Sequence, residues 1–356
     1  MECSGVTDSR NEFYIQWHFL ERCNLRCVHC YQEGYLFNDL EFEKLTQIAD
    51  VIIKTLQKWK KQGRISLTGG EPFLSQHLID IVEYLQKAEE IKYIDILTNG
   101  TCITREIIPQ IKHLNKIRQI QVSLDGASHT THDKIRGKGS FDKALKGIRL
   151  LKEDGIQVAM MFTLFRENKD EIPQLIELAI KERIDALTVE RVTPCGEGQN
   201  LKNQILSPNE LKDIYEYLSR VAETDEVKQS GLVIRRARPL WVNTISGDFN
   251  SAIEKKIGGF CPIGYTAMAI LADGTVLPCR RLNIPIGNIM KDGLFKIWYT
   301  SEVLWNIRNK GKLQGNCNKC ELIPYCGGCR AIAYELSGDY MGEDSQCWKQ
   351  LKMNQY

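Results

Sequence analysis

Three cysteines near the beginning of the chain have the spacing of a metal-binding loop. Cys23, Cys27 and Cys30 form a C-x3-C-x2-C pattern. Thiolates bind zinc and iron–sulfur clusters, and a closed centre of either kind usually takes four protein ligands. Three thiols are one ligand short, so two interpretations stay open. In the first, His29 is the fourth ligand of a structural zinc site. In the second, the three thiols bind three irons of a [4Fe–4S] cluster, and the fourth iron has no protein ligand.

Seven more cysteines are concentrated toward the C-terminal end. Two C-x2-C pairs among them are typical of a zinc ribbon, but the five-residue spacer between the pairs is short for that motif. A single tetrahedral zinc ion would also leave three of the seven thiols unused. The pattern therefore predicts a second, larger metal-binding region. The seven residues are Cys261, Cys279, Cys317, Cys320, Cys326, Cys329 and Cys347.

Short apolar strands that alternate with amphipathic helices must position these residues. A repeat of roughly thirty residues is typical of right-handed βαβ units and a parallel sheet. Six such units are too few to close an eight-stranded barrel. We therefore expect an α/β fold with a partial (β/α)6 TIM-like barrel, although the periodicity is also compatible with a doubly wound sheet. The predicted strands are 14–20, 64–68, 93–98, 119–124, 157–164 and 186–191.

Polar or glycine-rich turns follow four of the predicted strands. In parallel α/β folds, ligands bind at the carboxyl ends of the strands. We therefore expect the chemistry to gather at one rim of the sheet. These turns are TGGEP at 68–72, TNG at 98–100, SLDG at 123–126 and RVTP at 191–194.

The pattern changes after Gly198. Ser207 and Glu210 form a capping box with Pro208 at the first helical position, which predicts a helix to about Ala222. The last hundred residues read as short strands, Gly/Pro turns and cysteines. We expect three regions: a core with an N-terminal lead-in at 1–205, a bridging helical region at 206–256, and a small cysteine-rich domain at 257–356.

The composition is that of an ordinary folded protein. With 47 Lys and Arg against 45 Asp and Glu, the net charge of +2 favours neither nucleic acid nor a membrane as a partner. The chain has no uncharged stretch long enough to span a bilayer and no visible secretory signal. We expect a cytoplasmic protein whose clustered thiols bind metal instead of forming disulfides.

The cysteine triplet, followed by Tyr31 and lying in the loop after the first predicted strand, resembles the radical SAM superfamily. This resemblance implies a [4Fe–4S] cluster on Cys23, Cys27 and Cys30, with an open iron that binds S-adenosylmethionine (SAM). It implies that one electron from the cluster cleaves SAM to give a 5′-deoxyadenosyl radical, with a flavodoxin- or ferredoxin-type protein as the electron donor.

Further residues match positions that approach SAM in that superfamily. Gly69, Gly70 and Glu71 resemble the GGE motif that holds the methionine amino group. The segment from Arg191 is similar to the R-x-x-P-x-G-R-G pattern, with Glu197 in place of a basic residue. The resemblance implies that SAM contacts Gly69, Gly70, Glu71, Asn99, Ser123, Asp125, Thr163 and Arg191.

The C-terminal cysteines resemble the SPASM extension of radical SAM enzymes, which holds auxiliary [4Fe–4S] clusters. The SPASM pattern usually has three residues between its third and fourth grouped cysteines, whereas this chain has two, Gly327 and Gly328. We hypothesise that the inner of two auxiliary clusters keeps an open iron. The resemblance implies an outer cluster on Cys317, Cys320, Cys326 and Cys347, and an inner cluster on Cys261, Cys279 and Cys329.

The resemblance implies hydrogen abstraction from a peptide or protein, as in ribosomal-peptide crosslinking or epimerisation. Only 22 residues precede Cys23, so we expect a separate leader-recognition protein or direct capture of the peptide. The alternative is oxidation or decarboxylation of a small molecule such as a tetrapyrrole side chain in haem or haem d1 biosynthesis, because residues 326–331 resemble those enzymes. Sulfatase maturation is disfavoured, because sulfatase-maturing enzymes usually carry Asp directly after the second SPASM cysteine, and this chain has Arg280-Arg281 there.

The remaining alternative is a non-enzymatic α/β interaction protein that is stabilised by zinc.

Two features outside the clusters have competing interpretations. Cys195, just after the sixth strand, is a candidate hydrogen-atom donor, although a small buried side chain is the simpler interpretation. The basic residues Lys134, Arg136 and Lys138 match a solvated loop better than a site for an acidic substrate. His18 is interpreted as structural or solvated.

Overall fold

Six parallel strands form the centre of the computed structural model, which describes residues 11–32, 34–35, 39–245 and 261–349. The strands pair in chain order, each with its sequence neighbour. The expected mixed α/β architecture with a parallel sheet is therefore confirmed. The six strands are β1 (Glu12–Leu20), β2 (Gln62–Gly69), β3 (Ile91–Thr98), β4 (Ile117–Ser123), β5 (Val158–Leu164) and β6 (Ala186–Arg191).

Four more strands extend this sheet at its two ends. β7 (Val233–Ile234) pairs with β6, and β8 (Ala267–Ile270) pairs in parallel with β1. β9 (Thr275–Leu277) and β10 (Gly287–Asn288) continue from β8 in antiparallel fashion. The cysteine-rich region therefore covers the edge of β1, which would otherwise present unpaired backbone groups. The periodicity did not predict this continuity.

Amphipathic helices cover the outer face of the sheet. Their buried faces are apolar, as in α1, where Ile52 and Leu56 are fully buried. Burial of such faces, more than helix propensity, stabilises helices of this length. The helices of the core are α1 (Phe42–Trp59), α2 (Leu78–Gln86), α3 (Ile108–Lys112), α4 (His129–Arg136), α5 (Ser140–Glu153) and α6 (Ile172–Lys181).

Two helices follow the core, α7 (Pro208–Val221) and α8 (Asp225–Ser230). The predicted capping box of α7 is present, because the Ser207 hydroxyl accepts from the Glu210 backbone N–H and the Glu210 carboxylate accepts from the Ser207 N–H. The predicted boundary at 256–257 lies outside the described residues. The C-terminal helices are Ile289–Asp292, Leu294–Thr300, Glu302–Arg308 and Arg330–Ser337.

The two faces of β1 differ in polarity: one faces the apolar core and the other faces the interior of the partial barrel. Phe13, Ile15 and Trp17 are almost fully buried in the apolar core. Because side chains alternate along a strand, Gln16 and His18 point to the opposite, inner face. The inner face of the partial barrel is therefore polar. None of the helices in the described ranges is long and apolar enough to cross a membrane.

Candidate functional site

The loop after β1 carries the three cysteines of the first metal-binding pattern. Cys27 is buried, and Cys23 and Cys30 are half-buried. The Cys30 N–H donates to the Cys27 carbonyl at 3.1 Å, and the Val28 N–H donates to the Ile135 carbonyl at 3.0 Å. Burial raises the pKa of the Cys27 thiol to about 12, although Arg136 opposes this effect. Ligation to iron would deprotonate it. A donor set of three thiols on one short loop fits a cluster with one open iron.

A buried ion network lies directly beside this loop. Asp125 accepts from Arg136 Nε at 2.6 Å, and the same carboxylate oxygen is 2.5 Å from His29 Nε2. Arg136 Nη1 is 3.7 Å from the Cys27 sulfur. Burial disfavours the ionised Asp125 carboxylate, but Arg136 and His29 hold its pKa far below the usual range. His29, the fourth ligand that a zinc site would need, thus directs Nε2 to Asp125.

The basic residues after the fourth strand were interpreted as a solvated loop, and this interpretation is wrong for Arg136. The three residues lie at the end of α4 and just beyond it. Arg136 is buried, whereas Lys134 and Lys138 are exposed. Lys134 pairs with Glu167 at the surface. The charge pattern could not separate them, because burial of Arg136 depends on the distant Asp125 carboxylate.

The Gly69-Gly70 turn approaches the cysteine loop so closely that no side chain fits between them. A Cβ at Gly69 would lie 2.1 Å from the Leu20 carbonyl oxygen, and one at Gly70 would lie 2.0 Å from that of Arg22. The backbone also connects the two segments, since Gly70 N–H donates to Leu20 and Glu71 N–H donates to Arg22. The turn after β2 therefore fixes the start of the cysteine loop.

Replacing Gly70 by alanine should push the cysteine loop away from the sheet. Overpacking of this kind costs about 1–3 kcal/mol, so we expect a loss of stability of that size and weaker SAM binding. Urea unfolding and SAM titration measure the two effects. Gly34→Ala is the matched control, because a Cβ there meets nothing within 4 Å. Equal effects of the two substitutions would contradict this explanation.

Glu71 connects the Gly-Gly turn to the end of β3. Its carboxylate accepts from the Thr98 hydroxyl at 2.6 Å, the Asn99 N–H at 2.8 Å and the Phe73 N–H at 3.1 Å. Burial raises the pKa of Glu71, and these hydrogen bonds oppose that rise. Glu71 thereby holds Asn99, whose Nδ2 donates to Asn24 at 3.0 Å and lies 3.9 Å from the Cys23 sulfur. Two of the predicted SAM contacts thus meet at the cysteine loop.

The predicted contacts after β4 and β5 lie on the same rim. The second Asp125 oxygen accepts from the Thr163 N–H at 2.7 Å. Asn168 donates to the carbonyl oxygens of both Asp125 and Thr163. Ser123 is half-buried at the end of β4. Direct contact of these residues with SAM stays a prediction.

Arg191 points elsewhere. Its guanidinium forms two hydrogen bonds with the Asp344 carboxylate, at 3.0 and 2.9 Å, and a third with Gln346 at 3.0 Å. Both charged residues are buried. Arg191 thus ties the end of β6 to the C-terminal segment. The resemblance-based prediction of a SAM contact by Arg191 stays untested.

The four cysteines predicted to hold the outer auxiliary cluster surround one cavity of about 190 Å³. Two of these sulfurs accept N–H···S hydrogen bonds. Gly328 N–H lies 3.3 Å from Cys326 Sγ, and Asn243 Nδ2 lies 3.7 Å from Cys347 Sγ. Four thiols around a common space fit a [4Fe–4S] cluster. The four are Cys317, Cys320, Cys326 and Cys347.

The three cysteines predicted for the inner cluster belong to a separate apolar group. Cys329 is buried in it, and Cys261 and Cys279 pack against it. Burial raises the pKa of Cys261 to about 12, and its neighbours Cys329 and Cys279 add to the rise. Gly327 and Gly328, both with positive φ, turn the chain from Cys326 at the outer cavity to Cys329. The shortened spacing is thus accommodated by a turn that favours glycine.

Cys195 is buried near this inner group. Its pKa is raised to about 12 by burial, Glu335 adds to this rise, and Arg280 and Arg281 oppose it. Its role as a hydrogen-atom donor stays a prediction.

One constellation inside the barrel was not assigned by the sequence analysis. Arg280 is buried, and its Nε lies 3.4 Å from His18 Nδ1. Its guanidinium also lies over the Tyr31 ring, 4.6 Å from the centroid. The only sequence signal was the Arg280-Arg281 pair after Cys279. His18, interpreted as structural or solvated, is buried beside this cation.

Two family models match the chain. The model described as "Radical SAM superfamily" covers residues 17–179, and the SPASM model, described as "Iron-sulfur cluster-binding domain", covers residues 261–329. These ranges include the cysteine loop and six of the seven C-terminal cysteines.

Three similar proteins extend over nearly the whole chain. An AdoMet-dependent heme synthase of Nitratidesulfovibrio vulgaris is 28% identical over 348 residues, covering 94% of this chain and 91% of that protein. An Fe-coproporphyrin III synthase of Methanosarcina barkeri is 33% identical over 359 residues, covering 94% and 87%. The subtilosin biosynthesis protein AlbA of Bacillus subtilis is 27% identical over 339 residues, covering 91% and 69%.

The fold is also similar to a solved structure. SuiB of Streptococcus suis bound to S-adenosylmethionine matches with a TM-score of 0.72 at 20% identity, covering 95% of this chain and 77% of that protein.

Proposed function

Because the chain belongs to the radical SAM superfamily and has a C-terminal SPASM domain, we propose that it abstracts a hydrogen atom from its substrate. A [4Fe–4S] cluster with SAM supplies the 5′-deoxyadenosyl radical for this step, and auxiliary clusters supply electron relay or substrate binding. In this proposal Cys23, Cys27 and Cys30 hold the SAM-binding cluster.

One observation carries the proposal. The three cysteines, the Gly69-Gly70 turn and the Glu71–Asn99 hydrogen bond meet at the carboxyl ends of the first three strands. In parallel α/β folds this rim is where ligands bind. A buried carboxylate and an amide beside three thiols suit a zwitterionic ligand whose amino and carboxylate groups approach the metal.

The residues around this rim have separable roles in the proposal. Asn99 and the Gly69-Gly70 turn orient SAM, and Glu71 positions Asn99 through the backbone. Asp125 holds Arg136 beside Cys27, where the guanidinium stabilises the anionic thiolate. Ser123, Thr163 and Asp125, after β4 and β5, are the proposed contacts of the nucleoside.

For the substrate, we propose a carboxylate-bearing tetrapyrrole side chain that is oxidised or decarboxylated. The relatives named as heme synthase and Fe-coproporphyrin III synthase support this class, and each is covered over most of its length. The arginine residues of the barrel interior also favour a carboxylate substrate. From the sequence alone a peptide or protein was the first expectation for the substrate, and a tetrapyrrole was the alternative.

Peptide maturation is the second candidate. The similarity to AlbA, named for subtilosin biosynthesis, favours it. In that case a separate leader-recognition protein is a proposed partner. For either substrate we propose a flavodoxin- or ferredoxin-type electron donor, two auxiliary [4Fe–4S] clusters and a cytoplasmic location.

The test is a substrate comparison with anaerobically prepared, iron-loaded enzyme. Dithionite-reduced enzyme and SAM are incubated with Fe-coproporphyrin III, with a more highly carboxylated tetrapyrrole, or with candidate precursor peptides, and 5′-deoxyadenosine and substrate masses are measured. We expect 5′-deoxyadenosine without substrate and a mass loss in the tetrapyrrole. A mass change only in a peptide would select the second candidate. Iron-loaded enzyme that forms no 5′-deoxyadenosine under any condition would refute the proposed reaction.

A further inference from the structure

Arg280 is a buried cation without an anionic partner in the described part of the chain. Its residue is only 8% exposed, and none of the described carboxylates lies within ion-pair distance. Its contacts are the His18 ring and the face of Tyr31. The Tyr31 contact is a cation–π interaction, which compensates only part of the cost of desolvating a charge.

His18 does not balance this charge. Burial lowers the pKa of His18 well below its ordinary value, and the Arg280 guanidinium lowers it further. The imidazole is therefore neutral at neutral pH, and its Nδ1 accepts from Arg280. A neutral acceptor orients the guanidinium without neutralising it.

The rest of the inner face also has more cations than anions. Glu190 is shared between Arg238 at 2.5 Å and Arg281 at 3.0 Å, so one carboxylate serves two guanidinium groups. Burial would raise the pKa of Glu190, but these groups lower it to about 2. In the described ion pairs of this region, guanidinium groups therefore outnumber carboxylates two to one.

A second basic group lies nearer the amino ends of the strands. Arg118 pairs with Asp95, whereas the side-chain acceptor of Arg235 among the described residues is the neutral Gln119. Burial lowers the pKa of Arg235 to about 10, and the nearby Arg118 guanidinium adds to this effect. Arg64 is a third cation in this environment, and its Nη1 lies 3.8 Å from the Glu12 carboxylate. Arg235 is therefore the member of this group that has no described carboxylate within ion-pair distance.

An uncompensated buried cation is costly unless a ligand supplies the opposite charge. We propose that Arg280 binds a carboxylate of the substrate, and that the second basic group binds further carboxylates of the same molecule. The geometry thus points to a polycarboxylate substrate held inside the barrel. This inference rests on the proposed function and specifies the substrate class of the same site.

The position of Arg280 gives the carboxylate a defined place. Arg280 follows Cys279, which is assigned to the inner cluster, and its guanidinium covers Tyr31, which follows Cys30 of the SAM-binding loop. Arg280 therefore adjoins one residue from each metal-binding group. A carboxylate bound to Arg280 would hold a side chain of the substrate near both groups.

The experiment measures binding of Fe-coproporphyrin III and of its carboxamide derivative, in which every carboxylate is neutralised. Absorbance titrations use iron-loaded wild-type enzyme, Arg280→Gln, Arg280→Lys and the control Arg105→Gln. Arg105 is exposed and pairs with Glu153 at the surface. We expect wild-type enzyme to bind the carboxylate form at least about tenfold more tightly, which is 1.4 kcal/mol.

Arg280→Gln should remove most of that preference by weakening the carboxylate form about 10–100-fold, as expected for a charge-assisted hydrogen bond. The affinity for the carboxamide should not change. Arg280→Lys should retain part of the preference, and Arg105→Gln all of it. Formation of 5′-deoxyadenosine without substrate should be unchanged in Arg105→Gln and is measured beside binding in every variant, so a failure of SAM cleavage is separable from a failure of substrate recognition.

Several results would overturn the inference. Equal wild-type affinity for the two compounds, or no binding of either, would do so. A change in cluster reduction potential or iron content without a change in the carboxylate preference would make Arg280 a counter-ion of a cluster instead. If Arg280→Gln fails to load iron, the wild-type preference and its retention in Arg280→Lys decide the question.

Discussion

Cys27→Ala is expected to reduce reductive SAM cleavage to the background of the enzyme-free reaction. Cys27 is the buried member of the triplet, and its sulfur is the one next to Arg136. Two remaining thiols cannot hold a cluster that keeps one iron open for SAM. Loss of an outer group around a metal costs about 10–100-fold in activity or affinity, so loss of a ligand should exceed this. Production of 5′-deoxyadenosine with dithionite measures the effect.

The control for this substitution is Cys102→Ala. Cys102 is half-buried in the turn after β3, and its thiol lies 3.8 Å from the Thr101 hydroxyl. The variant should retain the iron content and SAM cleavage of the wild type. Undiminished 5′-deoxyadenosine formation by Cys27→Ala would refute the assignment of this loop. Iron analysis of the same samples shows whether the C-terminal clusters persist when the first is lost.

The second large effect is expected for Asp344→Ala. Asp344 pairs with Arg191 through two hydrogen bonds and also accepts from the Cys329 N–H at 2.8 Å. Removing the carboxylate leaves a buried guanidinium unpaired, which costs about 3–5 kcal/mol. Because Cys329 and Cys347 flank Asp344 in the structure, the substitution should also reduce the iron held by the C-terminal domain.

Urea unfolding and iron content per chain measure both consequences. Glu153→Ala is the control, since Glu153 forms an exposed ion pair with Arg105, and such pairs contribute about 0–1 kcal/mol. A small effect of Asp344→Ala, comparable to that of Glu153→Ala, would show that the Arg191–Asp344 pair does not join the barrel to the C-terminal segment.

Local sequence pattern was sufficient to predict the six strands of the core. The alternation of apolar strands and amphipathic helices predicted six parallel strands, and all six are present with bounds that differ by a few residues. The capping box at Ser207 was predicted and formed. Such features depend on residues that are close in sequence, so spacing alone encodes them.

Most of the candidate metal-binding cysteines could also be predicted from their spacing. The first metal-binding pattern lies on one short loop, so residues that are close in sequence are also close in space. These residues are Cys23, Cys27 and Cys30. The outer cavity combines a local group, Cys317 to Cys326, with the more distant Cys347. That last cysteine was placed through the resemblance to a known extension, because loop spacing does not predict its location.

Only the tertiary structure decided where the charged residues act. Arg191, a predicted SAM contact, pairs with Asp344, 153 positions later in the chain. Arg136 belonged to a charge run that predicted a solvated loop, yet Asp125 holds it in the interior. Charged side chains are seldom buried without a partner, and the partners of Arg191 and Arg136 are set by the packing of separate elements.

The spacing of neighbouring residues predicted the six core strands, the cysteine loop and the glycine-rich turn at 68–72, because each of these depends on residues that are close in the chain. The tertiary structure decided that β8 completes the edge of β1 and that Arg280 meets His18 across 262 positions. Contacts of that separation arise when the sheet curves and brings its strands around a common interior. The polar character of that interior, and hence the class of substrate it favours, was therefore not visible from any single segment.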